Sequence, residues 1–408
     1  STPIVAVDTW YHVGSRNERP GRTGFAHLFE HMMFQGSAHV KKGTHSTILE
    51  QAGSVGLNGS TTEDRTNYYE SMPSNALPLA LWLDADRMGR LLPVMDQAKL
   101  DLQRDVVKNE RRERVDNVPY GRANETILAA LYPKSHPYSW PVIGSMADLS
   151  AASLDDVKNF FRTYYAPNNA TLTIAGDFNS DSVKAWVNKY FAQIPRGPTV
   201  PSGITVPAVN LTKDTVLVLE DRVQLPRLYY AWHTVKAFTP DDAALDILAF
   251  ILAGDRSARL YTKLVHDMQI AQQVNANQAS GRLDSYFQIA VTPKQGRMPT
   301  ELAAVVDSEL TRIAKEGPTP REVQRAQNSY RTSFLDAMAS VLGKAEQLNN
   351  YNYFVGQPDY TQQDAARYDA VTPADVQRVA AQYLAAPKVV LTVVPQGKTE
   401  MAVKGGTR

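Results

Sequence analysis

The two halves of the chain resemble one another at a constant offset of 219 residues. Ser153–Val157 matches Thr372–Val376, and Leu172–Thr173 matches Leu391–Thr392. Self-similarity at a long period is typical of a repeated structural unit. The alternative is that any helix followed by a strand resembles any other, because the identities are few. A chain of 408 residues is long enough for two domains that each bury a core. We therefore predict an internal duplication.

The clearest linker in the sequence separates the two similar halves. The segment 194–203 is rich in proline and glycine, which interrupt helices and strands. Predicted strands and helices alternate on both sides of it. We therefore predict an N-terminal domain over 1–195, a linker over 196–213 and a C-terminal domain over 214–408.

Composition excludes several classes of protein. Lys and Arg number 43 against 42 Asp and Glu, so there is no basic surface of the kind that binds nucleic acid. The longest apolar runs are far shorter than the roughly 18 residues that a membrane span needs. Cysteine is absent, which excludes disulfides, cysteine nucleophiles and zinc–thiolate sites. Any metal must therefore be bound by His, Asp or Glu.

Three polar residues interrupt an apolar helix predicted over Gly24–Gln35. His27, Glu30 and His31 project within one arc of about 100° at the helical spacing of about 100° per residue. Two imidazoles four residues apart can bind one ion, and the order His-x-x-Glu-His is a metallopeptidase signature. Without a partner, such a polar group in an apolar face would cost several kcal/mol. The pattern predicts a zinc site, with Glu30 beside the ion.

The second half retains the helix without these polar residues. The 219-residue offset places His27 on Asp246, Glu30 on Ala249 and His31 on Phe250, while the apolar neighbours are kept. We therefore expect a metal only in the first domain. A catalytic zinc needs a third protein ligand and an open position for water. The predicted helix from Asp96 to about Asp116 offers Asp105, Glu110 and Glu113, among which composition alone does not choose.

Several motifs together resemble the M16 metallopeptidases, the inverzincin family. Thr23–Phe34 resembles the signature helix, and Asn58–Thr62 resembles the strand on the substrate side. His136–Tyr138 with Ile143–Gly144 resembles a loop of the family, and Arg104–Glu110 resembles the segment whose closing glutamate is the distal zinc ligand. The resemblance spans nearly the whole chain and selects Glu110 over Glu113 as the third ligand.

The resemblance implies a fold and an activity. The fold would be α+β, with two similar domains that are each a largely antiparallel sheet packed with helices. Two such chains would close around a clam-shell chamber. The activity would be zinc-dependent hydrolysis of peptides or unfolded polypeptide, with His27, His31 and Glu110 as ligands and Glu30 as general base. Extended substrate would bind beside the strand that carries Asn58, Gly59 and Ser60.

Two departures from the family pattern concern the outer shell and the partner. A glutamate is common seven residues before the distal ligand, whereas this chain has Gln103. We expect weaker polarisation of the metal ligands but no loss of zinc. The full-length enzymes draw an Arg and a Tyr for substrate from the half without zinc. That pair has no clear match here, so we expect a homodimer or a heterodimer with an M16 homologue that supplies it.

Two rival interpretations stay open at this stage. Some relatives in the respiratory cytochrome bc1 complex are structural subunits, although the intact set of His27, Glu30, His31 and Glu110 argues against that role. A zinc hydrolase that does not cleave peptides is the other rival. The sequence begins without a leader pattern, so we expect that any signal peptide has been removed. With the resemblance, this predicts a periplasmic protein, the alternatives being the cytoplasm and an organellar matrix.

Overall fold

The computed structural model of the chain describes residues 3–201, 204, 206–209 and 211–404. This part of the chain forms nine strands: β1 Ile4–Tyr11, β2 Val55–Thr61, β3 Thr66–Pro73, β4 Ala170–Gly176, β5 Thr215–Asp221, β6 Arg227–Thr234, β7 Ala271–Ala279, β8 Ser285–Pro293 and β9 Val389–Pro395.

The α-helices of the same residues cover much of both sheets. They are α1 Phe25–Met32, α2 Thr44–Gln51, α3 Leu77–Arg90, α4 Gln97–Arg111, α5 Ala123–Leu131, α6 Met146–Ala151, α7 Leu154–Tyr164, α8 Ser180–Phe191, α9 Asp242–Ala253, α10 Pro299–Glu316, α11 Pro320–Met338, α12 Val341–Phe354, α13 Thr361–Asp369 and α14 Pro373–Val379. Short π-helical segments at Arg112–Asp116, Tyr261–Asp267 and Ala380–Leu384 extend three of the helical regions. The mixture confirms an α+β fold.

The first sheet is antiparallel and has the order β2-β3-β1-β4. Thr9 of β1 pairs with Tyr68 of β3 on one side and with Leu172 of β4 on the other. Residues 5–11 of β1 are buried throughout, because helices cover both faces of the sheet: α3 lies against β1, and so does α12. A continuously buried strand is the expected result of cover on both faces. The edge strand β2 pairs only with β3 among the described strands.

The second sheet repeats this strand order. Its order is β5-β9-β6-β8-β7, and every pairing is antiparallel except the parallel one between β5 and β9. Without β5, the order β9-β6-β8-β7 is that of β4-β1-β3-β2 in the first sheet. Each central strand, β1 or β6, also precedes an apolar helix, α1 or α9. The shared topology agrees with an internal duplication.

The chain divides into two compact units that do not follow the predicted division. One unit contains Ser1–Arg112, Trp140–Val206 and Leu335–Tyr360, and the other contains Glu113–Ser139, Pro207–Phe334 and Thr361–Arg408. Compared with the predicted domains 1–195 and 214–408, two segments lie in the other unit. Residues 113–139 belong to the second unit, and residues 335–360 belong to the first. Within the predicted linker 196–213, residues 202, 203, 205 and 210 lie outside the described residues, and the others form no helix or strand.

Specific contacts explain why each exchanged segment belongs to its unit. In the first unit, Asn349 of α12 donates hydrogen bonds to the main-chain oxygen and the carboxylate of Asp8, both at 3.0 Å. In the second, Ile127 and Leu128 of α5 pack in a core cluster with Leu391 of β9. These pairings join positions far apart in sequence, which local patterns do not predict.

None of the described helices is both long and apolar enough to cross a bilayer.

Candidate metal centre

The candidate metal centre is built on α1, whose start is fixed by glycine and a half-buried carboxylate. Gly24 precedes the helix with φ of +86°, and a Cβ there would lie 2.8 Å from the main-chain oxygen of Ile143. The two oxygens of Glu18 accept hydrogen bonds from the main-chain N–H of Gly24, at 2.9 Å, and of Ala26, at 2.8 Å. First-turn N–H groups have no partner within a helix, so the carboxylate supplies one.

The two faces of α1 are used differently. Its apolar side chains Phe25, Leu28, Phe29 and Met32 are buried in the core of the first unit. His27 and His31 lie on another side, with 12% and 22% of their side chains exposed. Their ring centroids are 4.8 Å apart and the rings are inclined at 74°. The core therefore holds the helix, and the two imidazoles remain accessible to a ligand.

Glu110 of α4 brings one carboxylate oxygen to both imidazoles. Its Oε2 lies 3.6 Å from Nε2 of His27 and 3.1 Å from Nε2 of His31. Asp96 precedes α4 and caps it, because its side chain accepts the N–H of Lys99. Arg111, the last residue of α4, donates to the main-chain oxygen of Gly144 at 3.0 Å. Glu113 lies in the exposed segment after α4. Of Glu110 and Glu113, it is therefore Glu110 whose carboxylate lies next to the two imidazoles.

This donor set fits a zinc ion. Two imidazole nitrogens and one carboxylate oxygen are the protein ligands of many catalytic zinc sites, which leave a fourth position for water. The ligand atoms of His27, Glu30 and His31 also lie within 4.8 Å of one another, and no other such group occurs in the part of the chain that the structure describes. At the corresponding place in α9, Asp246 instead accepts a hydrogen bond from Tyr368 at 2.6 Å. The assignment of zinc to these ligands stays a prediction.

Glu30 is held beside the imidazoles by strand β2. Its Oε2 accepts a hydrogen bond from the hydroxyl of Thr61 at 2.6 Å. A Cβ on Gly59 would lie 3.0 Å from Cγ of Glu30, so the strand packs directly against this side chain. Burial raises the pKa of Glu30, while the Thr61 hydrogen bond and the neighbouring His31 lower it. The raised pKa makes the carboxylate a better proton acceptor.

The three predicted substrate residues lie on the edge strand, in different surroundings. Asn58 is exposed, and its side-chain oxygen accepts the N–H of Gly59 at 2.9 Å. Ser60 is already engaged, because Arg65 donates to its main-chain oxygen at 3.0 Å and to its hydroxyl at 2.6 Å. That hydroxyl also donates to Asn67 at 2.7 Å. The structure thus packs Gly59 against Glu30 and places Asn58 in the same pocket wall as Glu30, whereas the side chain of Ser60 contacts Arg65 and Asn67. Asn58 is the most accessible of the three.

Thr61 is a contact of Glu30 that the sequence did not single out. The polar run Asn58–Thr62 indicated the strand in the sequence. It did not show which hydroxyl of that strand donates a hydrogen bond to Glu30. Gln103, which stands where the family pattern has glutamate, is buried on α4 at 6% exposure. Its effect on the metal ligands stays a prediction.

Comparison with known proteins gives a consistent result. The sequence model described as "Insulinase (Peptidase family M16)" matches residues 1–140, and the one described as "Peptidase M16 inactive domain" matches residues 151–330. The Helicobacter pylori protein named zinc protease PqqE is 29% identical over 389 residues, covering 94% of this chain and 85% of that protein. A probable mitochondrial-processing peptidase subunit beta from Arabidopsis thaliana is 24% identical over 399 residues, covering 94% of this chain and 73% of that protein.

Solved structures agree in fold. The crystal structure of a protease from Helicobacter pylori matches with a TM-score of 0.89 and 26% identity, covering 97% of this chain and 94% of that one. The structure described as an M16 inactive domain from Pseudomonas fluorescens matches with a TM-score of 0.86 and 19% identity, covering 97% of this chain and 93% of that one. The second likeness, at lower identity, supports the fold alone.

Proposed function

Because the chain belongs to the M16 family of metallopeptidases, we propose that it is a zinc-dependent endopeptidase that hydrolyses peptides or unfolded polypeptide segments. One observation carries the proposal: a single carboxylate oxygen of Glu110 lies 3.1 and 3.6 Å from Nε2 of His31 and His27. These three side chains would hold the ion. The region matched by the "inactive domain" model, 151–330, contains none of them.

Glu30 is the proposed general base. When bound, zinc lowers the pKa of a coordinated water and polarises the carbonyl of the bond to be cleaved. Glu30 accepts the proton of the attacking water and then delivers it to the leaving amine. The Thr61 hydroxyl, 2.6 Å from Glu30, fixes the orientation of the carboxylate during both transfers.

Extended substrate is proposed to add as a further strand at β2. An edge strand presents main-chain groups that pair with any peptide backbone, which gives affinity without demanding a sequence. Asn58, Gly59 and Ser60 lie on this strand, and its packing against Glu30 would bring a bound peptide bond close to the base. Asn58 is the side chain best exposed for a direct contact.

The proposed working form is a dimer. The family resemblance supports two chains that enclose a chamber, with the same chain or an M16 homologue supplying an Arg and a Tyr for substrate. Such a chamber would admit peptides and unfolded segments and turn away folded proteins. The periplasm is the proposed compartment, and the cytoplasm and an organellar matrix are the alternatives.

Metal content and peptide cleavage, measured on the same preparations, test the function. Wild-type protein, purified alone and with a candidate homologue, should contain zinc and cleave peptides in a chelator-sensitive reaction. Glu30→Gln should keep zinc and lose at least about a hundredfold in kcat. His27→Ala and His31→Ala should lose both zinc and activity. Zinc-free, fully active wild-type protein would refute the proposal, and full activity of Glu30→Gln would remove the general base.

The third ligand is tested by a matched pair of variants. Glu110→Gln should lower zinc content and activity together, whereas Glu113→Gln should change neither. The reverse result would assign the third ligand to Glu113. A screen of small esters alongside peptides separates a peptidase from a zinc hydrolase of another class.

A further inference from the structure

We infer that Arg111 is a positioning residue of the proposed zinc site, and that it acts through the loop Ile143–Gly144, which lies against the start of α1. Its role rests on the proposed zinc site, because Arg111 would set the place of Glu110 beside the two imidazoles. The same contact gives a physical reason for Ile143–Gly144, a motif that the sequence indicated and the proposed function does not use.

Glu110 lies near the end of α4, where the helix has a polar anchor. One turn earlier, Val107 is fully buried in the core cluster that α4 shares with α1. Arg111 directly follows Glu110, is 8% exposed, and donates from Nη1 to the main-chain oxygen of Gly144 at 3.0 Å. No residue of the π-helical segment Arg112–Asp116 that comes next is buried. The bond from Arg111 therefore holds α4 at the position of the proposed ligand.

The loop that accepts this bond is in main-chain contact with the start of α1. Gly144 has φ of +76°, and a Cβ there would lie 2.4 Å from Cα of Gly24. Gly24 has φ of +86°, and its own Cβ would lie 2.8 Å from the main-chain oxygen of Ile143. Contacts this close leave no room for a side chain on either glycine. The loop and the start of α1 are therefore held at a fixed separation.

Hydrogen bonds tie the same loop to the residue before Gly24. The main-chain N–H of Ser145 donates to the hydroxyl of Thr23 at 3.2 Å. The hydroxyl and the main-chain N–H of Thr23 in turn donate to the carboxylate of Asp148, at 2.6 and 3.0 Å. The chain therefore enters α1 from a point that is fixed on the segment 144–148.

A short path thus joins the proposed ligand of α4 to those of α1. It runs from Glu110 to its neighbour Arg111 and across the hydrogen bond to Gly144. The contact between the two glycines then leads to α1, whose first turn carries His27. A functional site needs its groups held within about 0.5 Å. Removal of an outer contact of a metal ligand typically costs about 10–100-fold in metal affinity.

Arg111→Met tests this role through zinc affinity, measured by competition with a chromophoric chelator. The variant loses the bond to Gly144, so zinc should bind about tenfold more weakly. Electrostatics alone predicts the opposite sign, because removal of a positive charge near a cation site favours the cation. Arg111→Lys, whose ammonium can still donate to the same oxygen, should recover most of the affinity.

The matched control is Arg104→Met on the same helix. Arg104 lies nearly two turns before Glu110, and it also donates to a main-chain oxygen outside α4, that of Ala152 at 2.9 Å. Its loss should therefore lower stability in the same way and leave zinc affinity at the wild-type value. Urea unfolding of the zinc-free proteins measures the stability of both variants.

Two readouts separate positioning from a loss of stability. In the Co²⁺-substituted protein, the visible absorption band should change in Arg111→Met, because displacement of Glu110 alters the coordination of the ion, and should stay as in the wild type in Arg104→Met. In a Glu110→Gln background, Arg111→Met should not weaken zinc binding further, since a residue that acts through Glu110 then has nothing to position.

The outcomes distinguish this role from the zinc site itself. Zinc binding by Arg111→Met as tight as in the wild type, or tighter, would overturn the role and leave the site standing. An equally large effect in the Glu110→Gln background would show that Arg111 does not act through Glu110. Arg111→Gln, which is too short for the bond, gives the same test where Arg111→Met does not fold. Wild-type protein that binds no zinc would overturn the site, and the role of Arg111 with it.

Discussion

Replacing Gly59 with alanine tests whether the packing of β2 against α1 sets the position of Glu30, the proposed general base. The added Cβ would lie 3.0 Å from Cγ of Glu30, 3.2 Å from Cδ1 of Tyr68 and 3.3 Å from the main-chain oxygen of Asn67. Tyr68 is fully buried and the Asn67 oxygen belongs to a paired strand, so neither yields easily. Glu30, which is partly exposed, is the group that must move.

The expected effect is larger on the rate than on stability. Relief of a 3.0 Å contact needs a shift of a few tenths of an ångström. A misplacement of about 1 Å can cost about a hundredfold in rate, so we expect kcat to fall about tenfold in Gly59→Ala. Overpacking costs about 1–3 kcal/mol. The smaller entropy of the unfolded chain offsets about 0.4–1 kcal/mol of that, so the free energy of unfolding should fall by about 1 kcal/mol.

The assay is kcat at saturating peptide, with zinc content and urea unfolding measured on the same protein. Gly89→Ala in α3 is the control, because its Cβ would also meet an atom at 3.0 Å, namely Cγ1 of Ile194, away from the metal centre. That variant should keep kcat and zinc. A Gly59→Ala protein with normal kcat would show that Glu30 is not positioned by this strand.

The structure predicts the direction of the effect for three further variants. Burial lowers the pKa of His45 to about 2, so the unfolded chain takes up its proton first and stability is lost as pH falls below about 6.5. His45→Leu should therefore reduce the loss of unfolding free energy between pH 7 and 5 by about 2 kcal/mol in urea titrations. Thr61→Val removes a hydrogen bond that lowers the pKa of Glu30, so the acid limb of kcat/KM against pH should move to higher pH, and Thr61→Ser should restore it. Arg87→Met leaves the buried carboxylate of Asp84, 2.5 Å from Arg87 in the wild type, without its partner, and should lower the free energy of unfolding by about 3–5 kcal/mol.

The grouping of His27, Glu30 and His31 could be predicted because it is local. The spacing of His27, Glu30 and His31 on one helix fixes their angles before any packing is known. Glu110 could not be derived in the same way, since three acidic residues of one helix competed. Its place opposite the imidazoles depends on how α4 packs against α1, and only the resemblance to a family supplied that choice.

Sequence patterns did not predict the contacts between segments that lie far apart in the chain. The hydrogen bond from Thr61 to Glu30 joins residues 31 apart, and nothing in a polar strand shows which hydroxyl faces which helix. Relative to a division at 196–213, the two units of the structure exchange 113–139 and 335–360, which contain the helices α5 and α12. Periodicity predicts that such a helix has a buried face, but not which sheet that face covers.

The position of α12 has a consequence for biosynthesis. In the first unit, Asn349 bonds to Asp8 and to Thr173, and Tyr353 donates to the main-chain oxygen of Asp64. A ribosome must therefore translate past residue 360 before the sheet that begins at residue 4 can acquire its cover. The unit that carries His27 and His31 is complete only after α12 has been made, so a fragment cut at the linker would emerge with one face of that sheet bare.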